Sequence, residues 1–541
     1  MQDSFASMLS NRKHLFFLII ASTILLYFVF SPTLNMLFYG GDDFRYAFGG
    51  PSKSCATDDG FYFAKTVGRP IQAYMDCFSY KFFYNLERMR LLRIIAVGLM
   101  GGGMGLLAYW LLSVGFSSLL AIFAAGSLLM VSRLYGDAVL TGATSLVSPI
   151  LLVVLAYLCI NKADSVAIQS RKVLWYFLAA SFIFCALLTY PAMTFFFGTL
   201  VLIKLLFSNL DNWRKTRLDT LKDVLFFSFI GILYFIYAYL NMRYNAQAPI
   251  PDAYRLDHPN LNPIEIFKRA IPLANVYNGA WAIFPLTDMV KQGRLFLILL
   301  SGGVFIGTYQ FTQSPFYIQN KKRAVTYLLQ SIIAVIILLV FCSTFFLIMP
   351  SRDSDGSRLL FATMVSFLPL LFWSLYYWSS LFSRTSKLKF FTLLMGIFFL
   401  IEAYQANLFM MMDAFNSTQR IYEMKTTIAN YLAQGNTLQR VHFVVPEAEF
   451  PYDKFFLVNA ALTQLKAHGS YQLVWCSLPR GVPGAEKDHQ KEALNCIQTL
   501  PENGIAITFT HPGDSAVQTA GSLLIEGQTQ LLHLNDWIAK S

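Results

Sequence analysis

The chain has 541 residues, 55% of them hydrophobic and 13% charged, with a mean hydropathy of +0.49. Soluble chains carry about 25% charged residues, so a water-soluble globular protein is excluded and a polytopic membrane protein is indicated. The formal net charge of +11 would suggest nucleic acid in a soluble chain, but cytoplasmic loops of membrane proteins collect Lys and Arg, and no nucleic-acid partner is expected.

The N-terminal "NRKHLFFLIIASTILLYFVF" has a basic start and an apolar run. The run continues to Phe38 without a small-x-small cleavage site, so it reads as a retained first helix with a cytoplasmic N-terminus rather than a signal peptide. Further apolar runs near spanning length lie at 91–112, 116–132, 138–160, 173–190, 192–208, 224–240, 294–312, 324–349, 358–380 and 390–411, which with 15–38 makes about eleven spans. The alternation has a charge check. The segments 161–172, 209–223, 313–323 and 382–389 all fall on the cytoplasmic side, and all are basic. The C-terminus then lies outside.

Three outer segments are large: 39–90, 241–293 and the tail from 412. The first holds "FYFAKTVGRPIQAYMDCFSYKFFYNL", too polar to span and rich in aromatics, which predicts helices lying in the interface plane. In the second, the prolines of "APIPDAYRLDHPNLNP" forbid long regular elements. The tail changes character: "RVHFVV", "YQLVWCS", "GIAITFT" and "SLLIEG" read as short strands, with helices near 418–435 and 453–467. The expected organisation is an α-helical polytopic membrane domain, 1–411, followed by a small α/β domain, 412–541. Cys55 and Cys77 share the first outer loop, and Cys476 and Cys496 share the tail. Each pair is suited to a disulfide in an oxidising compartment, but spacing alone does not choose the pairing.

The glycine cluster "GLMGGGMG", 98–105, lies inside a span and lacks the Lys-Ser/Thr of a phosphate loop. Close helix packing through Gly98 and Gly102, or Gly101 and Gly105, is the better reading. His, Cys and carboxylates show no zinc-like spacing.

Four outer features carry candidate chemistry. Directly after the first span comes "YGGDDFRYAFGG", with Asp42, Asp43 and Arg45. A single Asp there would be a solvated helix end; two adjacent carboxylates at the membrane boundary point to function. "TVGRP" sets Arg69 between Gly68 and Pro70, either as a surface arginine beside a turn or as a rigidly presented guanidinium for a phosphate. "SRLYGDA" holds Arg133 and Asp137, whose spacing suits a loop-holding ion pair. "MPSRDSDGSRLLF" holds Arg352, Asp353, Asp355 and Arg358. Arginines in an outer loop run against the positive-inside bias, and binding an anionic ligand explains them. Tyr190-Pro191, at another outer turn, lines the same face. Arginines suit a phosphate, and a carboxylate suits a hydroxyl proton, so together they describe group transfer from a lipid phosphate to an alcohol.

The acidic pair after the first span, followed by Gly-Arg-Pro in the same outer loop and many spans, resembles the GT-C class of membrane glycosyltransferases. Within that class, "GGDDFRYAFGG…VGRPIQAYM", "TYPAM" and "SRDSDGSR" look like the serotype-converting O-antigen glucosyltransferases of the Gtr type II family, over residues 15–410. The resemblance implies a multi-pass bacterial inner-membrane enzyme. Its donor would be a polyprenyl-phosphate-sugar, undecaprenyl-phosphate-glucose first, and its acceptor an O-antigen or other cell-surface glycan on the periplasmic side. It also implies an inverting reaction with Asp42 or Asp43 as base, Arg69 on the phosphate, and a late arginine role for Arg352 or Arg358. A divalent metal is compatible with the acidic pair, but two carboxylates make a thin metal site, and no cofactor is expected. The rivals are a polysaccharide polymerase or ligase, which would carry its key loop late in the chain, and a transporter or flippase of lipid-linked sugars. Transporters place charges near the bilayer midplane. The spans here are nearly free of charge, Lys204 and Glu402 being the exceptions, with Lys204 near enough to the cytoplasmic surface to snorkel.

Overall fold

The structure is a computed structural model. It describes residues 12–38, 55, 59–83, 86–130, 144–208, 213–246, 289–312, 317–348, 365–381, 384–433, 440–445, 472–477, 505–508 and 531–533. The chain divides into two compact units. One comprises Met1–Asn35, Pro51–Phe82 and Arg90–Met412, the other Met36–Gly50, Phe83–Met89 and Asp413–Ser541.

The first unit is helical. In chain order its elements are α1 (Arg12–Leu34), α2 (Asp59–Thr66), α3 (Pro70–Phe82), α4 (Leu86–Val114), α5 (Ser118–Met130), α6 (Thr144–Ser165) and α7 (Gln169–Thr189). After them come the short α8 (Pro191–Thr194), α9 (Phe196–Leu206), α10 (Trp213–Tyr244), α11 (Met289–Thr312), α12 (Tyr317–Ile348), α13 (Leu368–Trp378) and α14 (Arg384–Ala433). α4 begins, and α14 ends, in residues of the second unit. Among the described residues six helices are long and apolar enough to cross a membrane: Lys13–Leu34, Glu87–Val114, Thr144–Ser165, Gln169–Thr189, Trp213–Tyr244 and Lys322–Phe341. Ser118–Met130 and Pro191–Leu206 are shorter apolar helices. The protein is thus a multi-pass α-helical membrane protein. Phe16, Phe28, Phe177, Phe229, Ile232 and Ile236 project outward, fully uncovered by protein, as a lipid-facing surface requires.

Close helix packing settles the role of the glycine cluster. A Cβ on Gly101 would lie 2.5 Å from the Thr23 Cα, and one on Gly105 would lie 2.5 Å from the Ile19 Cα. Gly98 and Gly102 face open space. The Gly101/Gly105 register is therefore the packing one, and it brings the backbones of α1 and α4 together as small residues do between membrane helices.

Two charges lie deep in this unit. Arg93, inside the 91–112 span, is fully buried, and Glu402 is buried within α14 with its Oε1 accepting no hydrogen bond.

The second unit contains a four-stranded parallel sheet, β1 (Arg440–Val445), β2 (Gln472–Ser477), β3 (Ile505–Thr508) and β4 (Leu531–His533), in the order β2-β1-β3-β4. β1 pairs in register with both neighbours, with His442 opposite Val474 and Ala506. Parallel pairing needs a crossover between each pair of strands, which explains the long sequence separations. Three strands coincide with the expected runs. The expected "SLLIEG" strand and the 453–467 helix lie outside the described residues, and β4 falls just beyond the former. The helix expected near 418–435 is the end of α14, a single helix of 50 residues that also contains the 390–411 span.

Candidate active site

The Gly-Arg-Pro motif is a helix stop and a helix start in consecutive residues. At the end of α2, the Gly68 N–H donates to the Lys65 carbonyl (3.2 Å) and the Arg69 N–H to the Ala64 carbonyl (2.8 Å). Gly68 has φ of +81°. This is a Schellman ending, with glycine at the left-handed position that a Cβ disfavours. Pro70 then opens α3 at the position where a missing N–H costs nothing. The Ala73 N–H returns to the Arg69 carbonyl (3.1 Å), so Arg69 is the hinge residue of both helices.

The turn is held from three sides. Phe61 and Ala64 of α2 pack on Ala73 and Cys77 of α3. A disulfide joins Cys55 to Cys77, resolving the pairing that spacing left open for this loop. The third support is α10. Asn241 donates its amide to the carbonyls of Lys65 (2.8 Å) and Thr66 (2.9 Å), which satisfies the open end of α2. Ala238 and Tyr234 lie one and two turns back on the same face, against Gly68. A Cβ on Gly68 would sit 2.8 Å from the Ala238 Cβ and 3.4 Å from the Tyr234 hydroxyl. α3 itself buries Ala73, Asp76, Cys77 and Tyr80 and exposes Tyr74, Phe78 and Phe82, the amphipathic build an interfacial helix requires.

Arg69 is 7% exposed, and its guanidinium carbon lies 4.7 Å from the centre of the Tyr190 ring. Tyr190 occupies the break between α7 and α8, where it is extended (φ −150°, ψ 95°) and followed by Pro191. Its N–H closes α7 on the Ala186 carbonyl, and its own carbonyl accepts from the Met193 N–H and the Thr194 hydroxyl. A guanidinium stacked on a ring keeps its charge while one face is held. The fork is thereby fixed in orientation and suited to bidentate contact with a phosphate.

The opposite ends of the same helices carry a different cluster. Lys204, in the last turn of α9, pairs with the fully buried Asp223 of α10 at 2.7 Å. Tyr157 of α6 donates its hydroxyl to the same carboxylate oxygen (3.1 Å). Lys222 pairs with Asp164 at 2.6 Å. Tyr176 donates to that Asp164 carboxylate at 2.5 Å. Lys204 is thus tied to α10 rather than released to snorkel. These contacts gather the C-terminal ends of α6 and α9 with the N-terminal ends of α7 and α10, the ends that border the basic segments 161–172 and 209–223. Arg69, Tyr190 and Asn241 sit at the other ends of α7 and α10.

Of the ten residues singled out from sequence, Arg69 and Tyr190 fall within the described residues, and the structure brings those two into contact. Asp42, Asp43, Arg45, Arg133, Asp137, Arg352, Asp355 and Arg358 lie outside the described residues. Sequence reasoning missed Tyr234, Ala238 and Asn241. Their i, i+4, i+7 spacing, with a small residue between two polar ones near the end of a span, is the signal that would have found them.

No family model matches the chain, and no curated protein matches it. Among solved structures it is similar to ArnT from Cupriavidus metallidurans bound to undecaprenyl phosphate, at 12% identity and a TM-score of 0.38 over 96% of this chain and 93% of that one. It is also similar to the archaeal oligosaccharyltransferase AglB from Archaeoglobus fulgidus in complex with an inhibitory peptide and a dolichol-phosphate, at 11% identity and a TM-score of 0.37 over 84% of this chain and 64% of that one. The apo form of the Archaeoglobus fulgidus oligosaccharyltransferase gives 11% identity and a TM-score of 0.41 over 91% of this chain and 69% of that one. At this level the likeness is one of chain path alone, and the chemistry has to be read from this chain's own residues.

Proposed function

We propose that the protein is a polyprenyl-phosphate-sugar-dependent glycosyltransferase of GT-C type. The observation that carries the reading is the buried Arg69 guanidinium, oriented by the Tyr190 ring on a turn locked by a disulfide and by α10. A membrane protein that fixes a cation this firmly beside a lipid-facing, aromatic-studded helix has built a seat for an anion carried by a lipid.

The Cys55–Cys77 disulfide supports an outer, oxidising location for this seat. The basic segments at the opposite helix ends support the same orientation, with the N-terminus cytoplasmic. In a bacterial inner membrane the seat is periplasmic. The tail 412–541 follows as a separate periplasmic α/β domain.

The reaction balances without a cofactor. The acceptor hydroxyl attacks the anomeric carbon while Asp42 or Asp43 takes its proton. The new glycosidic C–O bond forms as the bond from the anomeric carbon to the phosphate oxygen breaks, and polyprenyl phosphate leaves with the electron pair. The leaving group needs charge stabilisation more than protonation, and Arg69 with Arg352 or Arg358 supplies it. Attack opposite the leaving group inverts the anomeric centre. The resemblance to Gtr type II enzymes makes glucose the sugar and an O-antigen hydroxyl the acceptor.

The test is acceptor-dependent transfer from labelled polyprenyl-phosphate-glucose in membranes. Asp42→Asn or Asp43→Asn at normal protein level should abolish it. Full activity in both variants and in the double variant overturns the assignment of the base.

A further inference from the structure

Tyr234 of α10 is 1% exposed, and its hydroxyl makes no hydrogen bond. A buried hydroxyl left unmade costs about 1–3 kcal/mol, so a position that keeps one needs a reason. Packing alone would be served as well by Phe, which fills the same space without the cost.

The surroundings supply the reason. The hydroxyl points at the Gly-Arg-Pro turn, 3.4 Å from where a Gly68 Cβ would stand. The Arg69 charge acts on it directly. The same face of α10 continues through Ala238, against Gly68, to Asn241, which grips the end of α2. The helix that positions the arginine turn therefore also brings an O–H donor to it. A phenolic donor beside a guanidinium is the pair of groups that a phosphate oxygen accepts from.

We infer that the Tyr234 hydroxyl is a second donor to the phosphate held by Arg69, so that the donor lipid is read by a charged fork and a neutral O–H from two different helices. This rests on the glycosyltransferase reading above and deepens it. Tyr234 is then a ligand-binding residue, silent in the free protein and engaged only when the anion is seated.

The test is binding of polyprenyl phosphate to the full-length protein in nanodiscs, with uncharged polyprenol as the companion probe, for wild type and Tyr234→Phe. The expected result is that Tyr234→Phe weakens polyprenyl phosphate binding by about tenfold to a hundredfold, the range for a hydrogen bond to a charged group. Polyprenol binding should stay unchanged, and the thermal midpoint of the free protein should stay level or rise. Equal affinity of wild type and Tyr234→Phe for polyprenyl phosphate overturns the inference and leaves the glycosyltransferase reading standing. Equal weakening for both lipids also overturns it, because it reports a structural role. Failure of the wild type to bind polyprenyl phosphate overturns the glycosyltransferase reading, and this inference with it.

Discussion

Gly68→Ala is the sharpest perturbation of the arginine turn, because it adds one methyl group at a position where two separate costs can be worked out. The backbone there has φ of +81°, which costs a residue with a Cβ about 1–2 kcal/mol. The new Cβ would also stand 2.8 Å from the Ala238 Cβ and 3.3 Å from its Cα. Carbon pairs prefer about 3.5–4.0 Å, and overpacking of this kind costs about 1–3 kcal/mol. The sum, about 2–5 kcal/mol, must be met by moving the turn away from α10, and Arg69 moves with it. The expected outcome in a detergent-solubilised thermal melt is a lower midpoint, accompanied by a loss of sugar transfer larger than the loss of folded protein. Adding Ala238→Gly removes the contact but not the backbone cost, so the double variant should be less impaired than the two singles predict together. A Gly68→Ala protein with wild-type midpoint and rate, or a double variant that is strictly additive, refutes the reasoning.

Two further outcomes follow from charges away from the arginine turn. Lys204→Met leaves the fully buried Asp223 without its counter-ion, and breaking a buried pair in this way costs about 3–5 kcal/mol. Lys204→Met combined with Asp223→Asn should recover most of that loss in the same melt, and no recovery would mean the ion pair is not what holds α9 to α10. Lys387 sits over the Tyr376 ring at 3.7 Å, and burial lowers its pKa from 10.5 to about 8. Between those values the unfolded chain holds more protons than the folded one, so stability should be level below pH 8 and rise from there towards 10.5. A Lys387→Met variant should lack that rise, and identical pH profiles for the two proteins would contradict the burial of this amine.

The parts of the fold that were legible in the sequence are those set by strong local chemistry. Long apolar runs marked the spans, and the Lys and Arg segments marked which helix ends belong together. The Lys204–Asp223 and Lys222–Asp164 pairs then unite those same ends in space. The glycine cluster was legible as a packing surface, but its register was not, because choosing Gly101/Gly105 over Gly98/Gly102 requires knowing where α1 lies. The "VGRP" motif announced a presented arginine. It did not announce that Arg69 would be both the residue after a Schellman ending and the opening of α3, since that depends on the Ala64 and Ala73 hydrogen bonds. Tyr234 and Asn241 were illegible for a plainer reason. A tyrosine and an asparagine near the end of an apolar helix have many ordinary uses, and only the arrival of α2 from 175 or more residues away gives them a specific one. Asp223 was placed one residue outside its span, where a solvated carboxylate would be unremarkable, because α10 extends from Trp213 to Tyr244 and buries it.

The central claim is that Arg69 stabilises the phosphate leaving group of a lipid-linked sugar. The most direct measurement is the single-turnover rate of acceptor-dependent glucose release from polyprenyl-phosphate-glucose by purified protein in nanodiscs, compared for wild type, Arg69→Lys and Arg69→Ala. The account predicts transfer by the wild type, a rate lower by about a hundredfold or more in Arg69→Ala, and an intermediate rate in Arg69→Lys, which keeps the charge but not the fork. Equal rates in all three proteins, or no transfer by a folded wild type with its acceptor present, would contradict it.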